Sequence, residues 1–149
     1  MPATAPELLT DLYTRDETAW LDTMADLIAR GDVSELDYDN LREYLTDMAI
    51  RDRKEVLSRL IILIAHHLKW QCQPAGRNGG WRATMIVQRS DLTETFESKV
   101  LRKHAETVLA KAYRTAVELA AAETGLPESK FPAKSQHSAS EWDALPVPE

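Results

Sequence analysis

One histidine and two acids are the first residues of this 149-residue sequence whose types and spacing could perform chemistry. Glu43 and Asp47 are four residues apart, which places both carboxylates on one flank of a helix that His66 could face. An imidazole oriented by a carboxylate can act as a general acid or base near neutral pH. The same groups could ligate a metal. However, the Glu43 and Asp47 carboxylates point away from the apolar stripe of the helix that carries them. We therefore expect no metal and no other cofactor.

Basic and aromatic residues between positions 66 and 89 are the second candidate group. Residues 51–90 carry eight basic and two acidic side chains, whereas residues 1–50 carry three basic and twelve acidic ones. Cations beside tryptophans could hold phosphates and stack on bases, and tryptophan and arginine also dominate protein interfaces. The residues expected to form this binding surface are His66, Lys69, Trp70, Gln73, Arg77, Trp81, Arg82, Gln88 and Arg89.

Several other chemistries find no support in the sequence. Cys72 is the single cysteine, so no internal disulfide can form, and no paired base suggests a nucleophilic role for its thiol. There is no glycine-rich phosphate loop, no dinucleotide-binding fingerprint and no zinc-finger spacing. The chemistry of the chain is therefore expected to be confined to the two groups above.

Most of the chain has the periodicity of α-helices, so helices are expected to position these side chains. No window alternates apolar and polar residues with period two, which argues against a sheet. Capping residues predict where the helices begin, and glycine or proline predicts where they end. The predicted starts are Thr14, Asp37, Asp52, the region of Gly80 and the region of Ser98, and the predicted ends are Gly31, Gln71 and Thr124.

This pattern predicts an all-α fold, a single-domain bundle of about five helices over residues 1–149. Residues 1–12 are expected to form an N-terminal arm. Residues 126–149 lack periodicity and are expected to form an irregular tail that packs on the bundle through Phe131, Trp142 and Leu145.

The predicted helix after Asp52 has two faces that should both be packed. Its core side is apolar, and the opposite side carries Ile62 and Trp70, a pair that a solvent-exposed face rarely has. The facing helix places two polar side chains in the seam, and buried polar groups need hydrogen-bond partners. We expect Thr84 and Gln88 to bond with His66, Lys69 and Gln73.

The motifs of this region resemble a known bacterial family, catalogued as domain of unknown function 29. The matching pieces include the segment 66–74 (HHLKWQCQP), Arg77, the segment 81–84 (WRAT), Gln88-Arg89, Glu123-Thr124-Gly125 and Phe131-Pro132. The resemblance covers about residues 12–146 and implies a compact helical protein without an established biochemical activity. The sequence departs from the family pattern at four positions: Tyr44 replaces an acid, His67 an apolar residue, Gly80 a serine and Lys99 a proline.

The interpretation that these observations favour is a small bacterial, non-catalytic protein-interaction module that uses the basic and aromatic corner. Its partner would be another protein or a second copy of the chain. One alternative is a protein that contacts nucleic acid at the same corner. The other is an unrecognised enzyme acting on an anionic substrate, with His66 as acid or base and Glu43 orienting it.

The place of action expected from the sequence is the cytoplasm. The single cysteine is typical of a reducing compartment, and the first residues lack the charge and hydropathy of a secretory signal. The longest apolar run, Leu60–Ala65, is far shorter than the ~20 residues that span a bilayer, so no membrane partner is expected.

Overall fold

The computed structural model describes residues 5–149 as α-helices, short 3₁₀ turns and irregular segments, with no β-strand in that range. The all-α prediction is confirmed, and five of the six described helices have eleven or more residues, as the periodicity predicts. The helices are α1 (Ala5–Arg15), α2 (Glu17–Arg30), α3 (Tyr38–Cys72), α4 (Gly79–Thr95), α5 (Lys99–Thr124) and α6 (Ala139–Trp142).

The chain divides into two compact units, residues 1–50 and residues 51–149, and α3 contributes residues to both. Each unit has its own cluster of buried apolar side chains. The single domain expected over residues 1–149 stays a prediction.

The core of the first unit is built around Trp20, which is fully buried. Its indole Nε1 donates a 3.1 Å hydrogen bond to Asp37 Oδ2, and its ring lies against Tyr13 and Tyr44. A buried indole N–H usually finds such a partner, because an unpaired one is costly. The other buried residues of this core are Leu9, Met24 and Leu27.

The core of the second unit combines the apolar side of α3 with small residues of α5. Leu60, Ile64 and Leu68 are buried, as their helical spacing predicts. Alanines at spacings of seven and four along one face of α5 bring little side-chain bulk, which lets neighbouring elements approach closely. The buried residues that lie outside α3 in this core are Met85, Leu92, Phe96, Ala105, Ala112, Tyr113, Ala116, Ala120, Phe131, Ala139 and Trp142.

Several helix ends lie where the capping residues predict them. Gly31 and Gly125 follow α2 and α5 with φ of 77° and 75°, a left-handed conformation that glycine adopts without steric cost. The side chain of Ser98 accepts a hydrogen bond from Leu101 N at the start of α5. The Asn78 side chain caps α4 in the same way through Trp81 N.

Two predicted helix starts are wrong. Thr14 lies inside α1, and the cap of α2 is Asp16, whose Oδ1 accepts a hydrogen bond from Ala19 N. Asp52 lies inside α3, a continuous 35-residue helix that replaces the two helices predicted from Asp37 and Asp52. Glu55, expected as the second half of a capping box, instead pairs with Arg59 one turn later.

Both predicted termini are more regular than expected. Residues 5–12 of the predicted arm form most of α1, and residues 1–4 lie outside the described part of the chain. In the tail, Phe131 and Trp142 are buried and Leu145 is half-buried against the second core.

None of the described helices is both long and apolar enough to cross a lipid bilayer.

Candidate functional site

Lys69 is the centre of the corner where the end of α3, the start of α4 and the end of α5 meet. Its side chain is only 3% exposed, and its ammonium forms an ion pair with Glu123 and lies 4.7 Å from the centroid of the Trp81 ring. His66 Nε2 is 3.5 Å away. A buried ammonium requires such compensation, so this cation is already committed to partners within the fold.

The turn between α3 and α4 is closely packed against the end of α5. Gln73 Nε2 donates a 3.2 Å hydrogen bond to Thr124 O. A Cβ atom at Gly76 would lie 2.6 Å from Gln73 Oε1 and 2.8 Å from Trp81 Cη2. Only glycine therefore fits at this position without displacing its neighbours.

Three arginines of the predicted binding surface donate hydrogen bonds to backbone carbonyls. Arg77 Nε donates to Trp70 O at 2.8 Å, and its guanidinium carbon lies 5.3 Å from the Trp70 ring centroid. Arg82 Nε donates to Pro148 O at 3.0 Å, and Arg89 Nη1 donates to Leu145 O at 3.4 Å. These contacts hold parts of the chain together, and a role for the same residues in binding stays a prediction.

Gln88, one of the two polar residues of α4 expected in the seam, has a different hydrogen-bond partner from those expected. Gln88 Oε1 accepts a 3.4 Å hydrogen bond from Arg59 Nη1 rather than from the corner, which corrects the predicted partners. Arg59 also pairs with Asp91 at 2.5 Å and with Glu55. The second face of α3 is nevertheless packed, as predicted, because Ile62 and Trp70 are half-buried.

His66 is half-buried and is held by its own helix. Its Nδ1 donates to Ile62 O at 2.8 Å, which leaves Nε2 as the acceptor facing Lys69. Burial lowers the pKa of His66, and the Lys69 ammonium acts in the same direction. The imidazole is therefore neutral at pH 7.

Glu43, the predicted companion of His66, belongs to the first unit and is exposed. The Tyr13 hydroxyl donates to Glu43 Oε1 at 3.5 Å, and burial together with Glu43 raises the pKa of Tyr13. The predicted pairing of Glu43 with His66 required two separate helices, whereas both residues belong to the single helix α3 and are 23 residues apart on it. At 1.5 Å per residue that is about 35 Å along the helix, so the two side chains do not pair. Among the side chains that the structure describes, no three from histidine, cysteine, aspartate or glutamate lie close enough together to hold a metal ion.

His67 is a second buried histidine, which stands out in the sequence only as a departure from the family pattern. It is 6% exposed, its Nε2 has no hydrogen-bond partner, and burial lowers its pKa to about 4. Its ring lies edge-on to Trp142 at 5.5 Å, and His137 lies on the same indole at 5.1 Å. His67 therefore helps to seat α6 as a neutral side chain.

A groove beside α5, which we call the α5 groove, was not predicted from the sequence. It has a volume of about 850 Å³ and lies between α5 and residues 128–135, entirely within the second unit. The Tyr113 hydroxyl donates to Pro132 O at 2.5 Å and ties the two walls together. Burial raises the pKa of Tyr113. The apolar residues of its lining are Leu109, Ala110, Tyr113, Val117, Phe131, Pro132 and Ala133.

The polar rim of the α5 groove combines Glu106, an acid that accepts hydrogen bonds, with three charged side chains that form no ion pair within the described part of the chain. Glu106 accepts hydrogen bonds from Ser140 N at 3.1 Å and from Ala139 N at 3.4 Å, which fixes the start of α6. Arg114, Glu128 and Lys134 are exposed and form no ion pair with any residue that the structure describes. The sequence signal for this groove was weak, because one wall is an aperiodic segment.

The comparisons with known proteins give one result. A family model described as "Domain of unknown function DUF29" matches residues 12–143, which confirms the resemblance inferred from the motifs. No curated protein and no solved structure matches the chain.

Proposed function

The chain belongs to the family described as domain of unknown function DUF29, and because that description assigns no activity, we propose a function from the geometry. The protein is a non-catalytic interaction module that binds an apolar segment of a partner protein in the α5 groove. Its expected place of action is the bacterial cytoplasm.

The single observation that supports this proposal is the α5 groove itself. Its volume of about 850 Å³ is that of a large small-molecule pocket, for which roughly 300–1,000 Å³ and a mostly apolar lining are usual. Leu109, Tyr113 and Val117 of α5 form one wall, and Phe131 and Pro132 form the other. Aromatic and aliphatic side chains in a concave surface accept the buried anchors that dominate binding energy at protein interfaces.

The rim defines the chemistry of the partner. Arg114 and Lys134 are cations and Glu128 is an acid, and none of the three forms an ion pair with a residue that the structure describes. Polar groups around an apolar centre are typical of an interface rim, where they orient the partner more than they add to its affinity. A partner segment with two or three bulky apolar residues and flanking charges of both signs fits this arrangement.

The corner supports the two alternatives less well. Binding to nucleic acid needs cations free to contact phosphates, and Lys69, at the centre of the corner, is buried in an ion pair with Glu123. Arg77, Arg82 and Arg89 each donate one hydrogen bond to a backbone carbonyl. His66 is neutral and hydrogen-bonded to its own helix. We therefore propose that the corner serves as the scaffold that joins α3, α4 and α5.

The test is site-specific photocrosslinking in the native host with the crosslinker placed in the groove. Ala110 is an exposed residue of the groove lining, and Ala122 is an exposed alanine of the same helix outside it. We expect a crosslinker at Ala110, but not one at Ala122, to capture a defined protein. Nuclease treatment should leave the captured product unchanged.

A matched pair of charge substitutions completes this experiment. Ala110→Glu introduces a carboxylate into the groove without altering the core, and Ala122→Glu adds the same charge elsewhere on α5. Capture should fall about tenfold with Ala110→Glu, as for the loss of one good interface anchor, and should persist with Ala122→Glu. Equal capture in both variants would exclude the groove, and a nuclease-sensitive product would favour nucleic-acid binding.

A further inference from the structure

A second groove, which we call the α1–α2 groove, lies in the first unit between α1 and the end of α2. It has a volume of about 440 Å³. Two of its lining residues, Leu9 and Leu27, are each only 7% exposed. Leu12 is half-buried, and Leu8 is 53% exposed. Four leucines from two helices therefore form one apolar surface that the described residues leave partly open to solvent.

The charged side chains of the α1–α2 groove carry an excess of acid. Arg30 is the one cation among the described lining residues, and its Nε lies 3.2 Å from Asp26 Oδ2 and 3.6 Å from Asp32 Oδ2. Glu35 also lines the groove, is exposed, and forms no ion pair with a residue that the structure describes. Because the cation is matched by two acids and Glu35 adds a third, the surface beside the leucines is negative.

The first unit as a whole has the same sign of charge. Residues 1–50 contain three basic and twelve acidic side chains, a net charge of −9. A field of this sign repels the phosphates of nucleic acids and the headgroups of anionic lipids, and it accelerates association with a cationic partner. Charge complementarity therefore favours a basic occupant for the groove.

The walls of the groove indicate the conformation of that occupant. The backbone groups of α1 and α2 bond within each helix, so the groove offers no strand edge to an extended peptide. A helix satisfies its own backbone groups and buries one apolar stripe, which is how amphipathic helices bind in apolar grooves. Leucines beside acids match a stripe of apolar side chains flanked by lysine and arginine.

We propose that the α1–α2 groove binds a basic amphipathic helix of a partner protein. The apolar stripe of this helix packs on the four leucines, and its lysine and arginine side chains face Asp32 and Glu35. Binding adds buried apolar area to the small core of the first unit and so stabilises that unit. The site goes beyond the proposed function and shares no residue with the α5 groove, so each of the two can fail without the other.

The test uses a synthetic peptide of about 15 residues that contains only leucine and lysine, with leucine at positions i, i+3, i+4 and i+7. Its binding to the full-length protein is measured by fluorescence anisotropy, and the site is located from the NMR shifts of backbone amides. We expect one-to-one binding with the largest shift changes in residues 8–12 and 27–30. Bound peptide should also slow amide hydrogen exchange in α2, because a ligand of the folded unit opposes its opening.

A control peptide tests whether the apolar stripe is needed. It has the same composition, but its leucines are spread evenly around the helix, so it has the same charge and no apolar face. We expect it to bind about tenfold more weakly, as for the loss of one interface anchor.

Matched substitutions separate the groove from general attraction to an acidic protein. Leu8 lines the groove and Ile28 does not, although each residue is 53% exposed. We expect Leu8→Gln to weaken peptide binding about tenfold and Ile28→Gln to leave it unchanged. Glu35→Gln should weaken binding about threefold, and Asp47→Asn, at an exposed acid of α3 outside the lining, should weaken it less.

Three results would overturn the proposal. Equal affinity for the two peptides, or equal losses in Leu8→Gln and Ile28→Gln, would show that net charge alone holds the peptide. Absence of binding at mM peptide to a protein that circular dichroism shows to be folded, or binding only after deletion of residues 2–4, would show that the groove does not accept a partner helix. A concentration-dependent dimer that Leu8→Gln abolishes and Ile28→Gln preserves would assign the groove to a second copy of the chain.

Discussion

At the residue scale, His67 is a buried titratable side chain with one ring nitrogen unpartnered. Burial lowers its pKa from 6.5 to about 4. Between these two values the unfolded chain binds a proton at this position that the folded chain does not. The free energy of unfolding therefore falls as the pH is lowered through that window, by up to about 3 kcal/mol.

We expect His67→Leu to remove this part of the pH dependence. At pH 7 the change should leave the free energy of unfolding equal or higher, because it replaces an unpaired buried polar group by an apolar one. Urea unfolding at pH 7, 5.5 and 4.5 measures the difference between variant and wild type. Gln71→Leu, at an exposed neutral residue of the same helix, is the control that should keep the wild-type slope. Parallel curves for wild type and His67→Leu would contradict the assignment.

The side chains of the corner show what residue types alone can and cannot predict. The sequence indicated that Lys69, Gln73, Arg77 and Trp81 lie together, because their spacing brings a helix end and a helix start around one short turn. It could not predict that Lys69 is buried against Glu123. That ion pair depends on α5 ending beside α3, which only the tertiary fold determines.

At the scale of elements, the turn between α3 and α4 depends on the absence of a side chain at Gly76. A Cβ there would lie within 3 Å of Gln73 and Trp81, whereas a Cβ at Gly79 would meet nothing within 4 Å. We expect Gly76→Ala to lower the free energy of unfolding by about 1–3 kcal/mol through overpacking. Gly79→Ala, in the first turn of α4, should raise it by about 0.4–1 kcal/mol, since alanine reduces the freedom of the unfolded chain.

Thermal and urea unfolding of the two alanine variants measure this contrast. Combining Gly76→Ala with Trp81→Phe removes the ring atom that the new Cβ would approach. The double variant should therefore lose less free energy of unfolding than the sum of the losses in the two single variants. Equal stabilities for Gly76→Ala and Gly79→Ala would show that the turn can relax around a side chain.

The elements that sequence could predict are those whose ends carry local signals. Gly31, Ser98 and Gly125 each terminate or begin a helix through their own backbone or side chain, and the structure confirms all three. Asp52 carries the same kind of signal inside α3, where the i,i+4 pair of Glu55 and Arg59 continues the helix instead. The α5 groove escaped prediction because residues 128–135 have no periodicity, and their position depends on contacts with distant residues.

At the scale of the whole molecule, the two units differ in the size of their cores. Among the described residues, the first unit has four buried apolar side chains and the second has seventeen. Units this small bury a modest fraction of their surface and are marginally stable. We therefore expect amides of α2 to exchange with solvent more rapidly than those of α5 near Ala112–Ala120, because local opening requires less buried contact to be lost.

Native-state hydrogen exchange followed by NMR measures this difference amide by amide. Adding a low concentration of urea should accelerate exchange in α2 before it affects α5. If both helices instead exchange with the same free energy, the chain unfolds as one cooperative domain, as the sequence interpretation expected.

The reactivity of Cys72 can report movement of the segment that forms one wall of the α5 groove. Its thiol is half-buried, and its Sγ lies 3.7 Å from Lys130 O, beside the segment that forms one wall. Burial raises the pKa of the thiol, so little reactive thiolate forms while that segment is seated. The rate at which a maleimide alkylates this sole cysteine would then report how often the wall lifts, and a partner seated in the groove would slow that reaction.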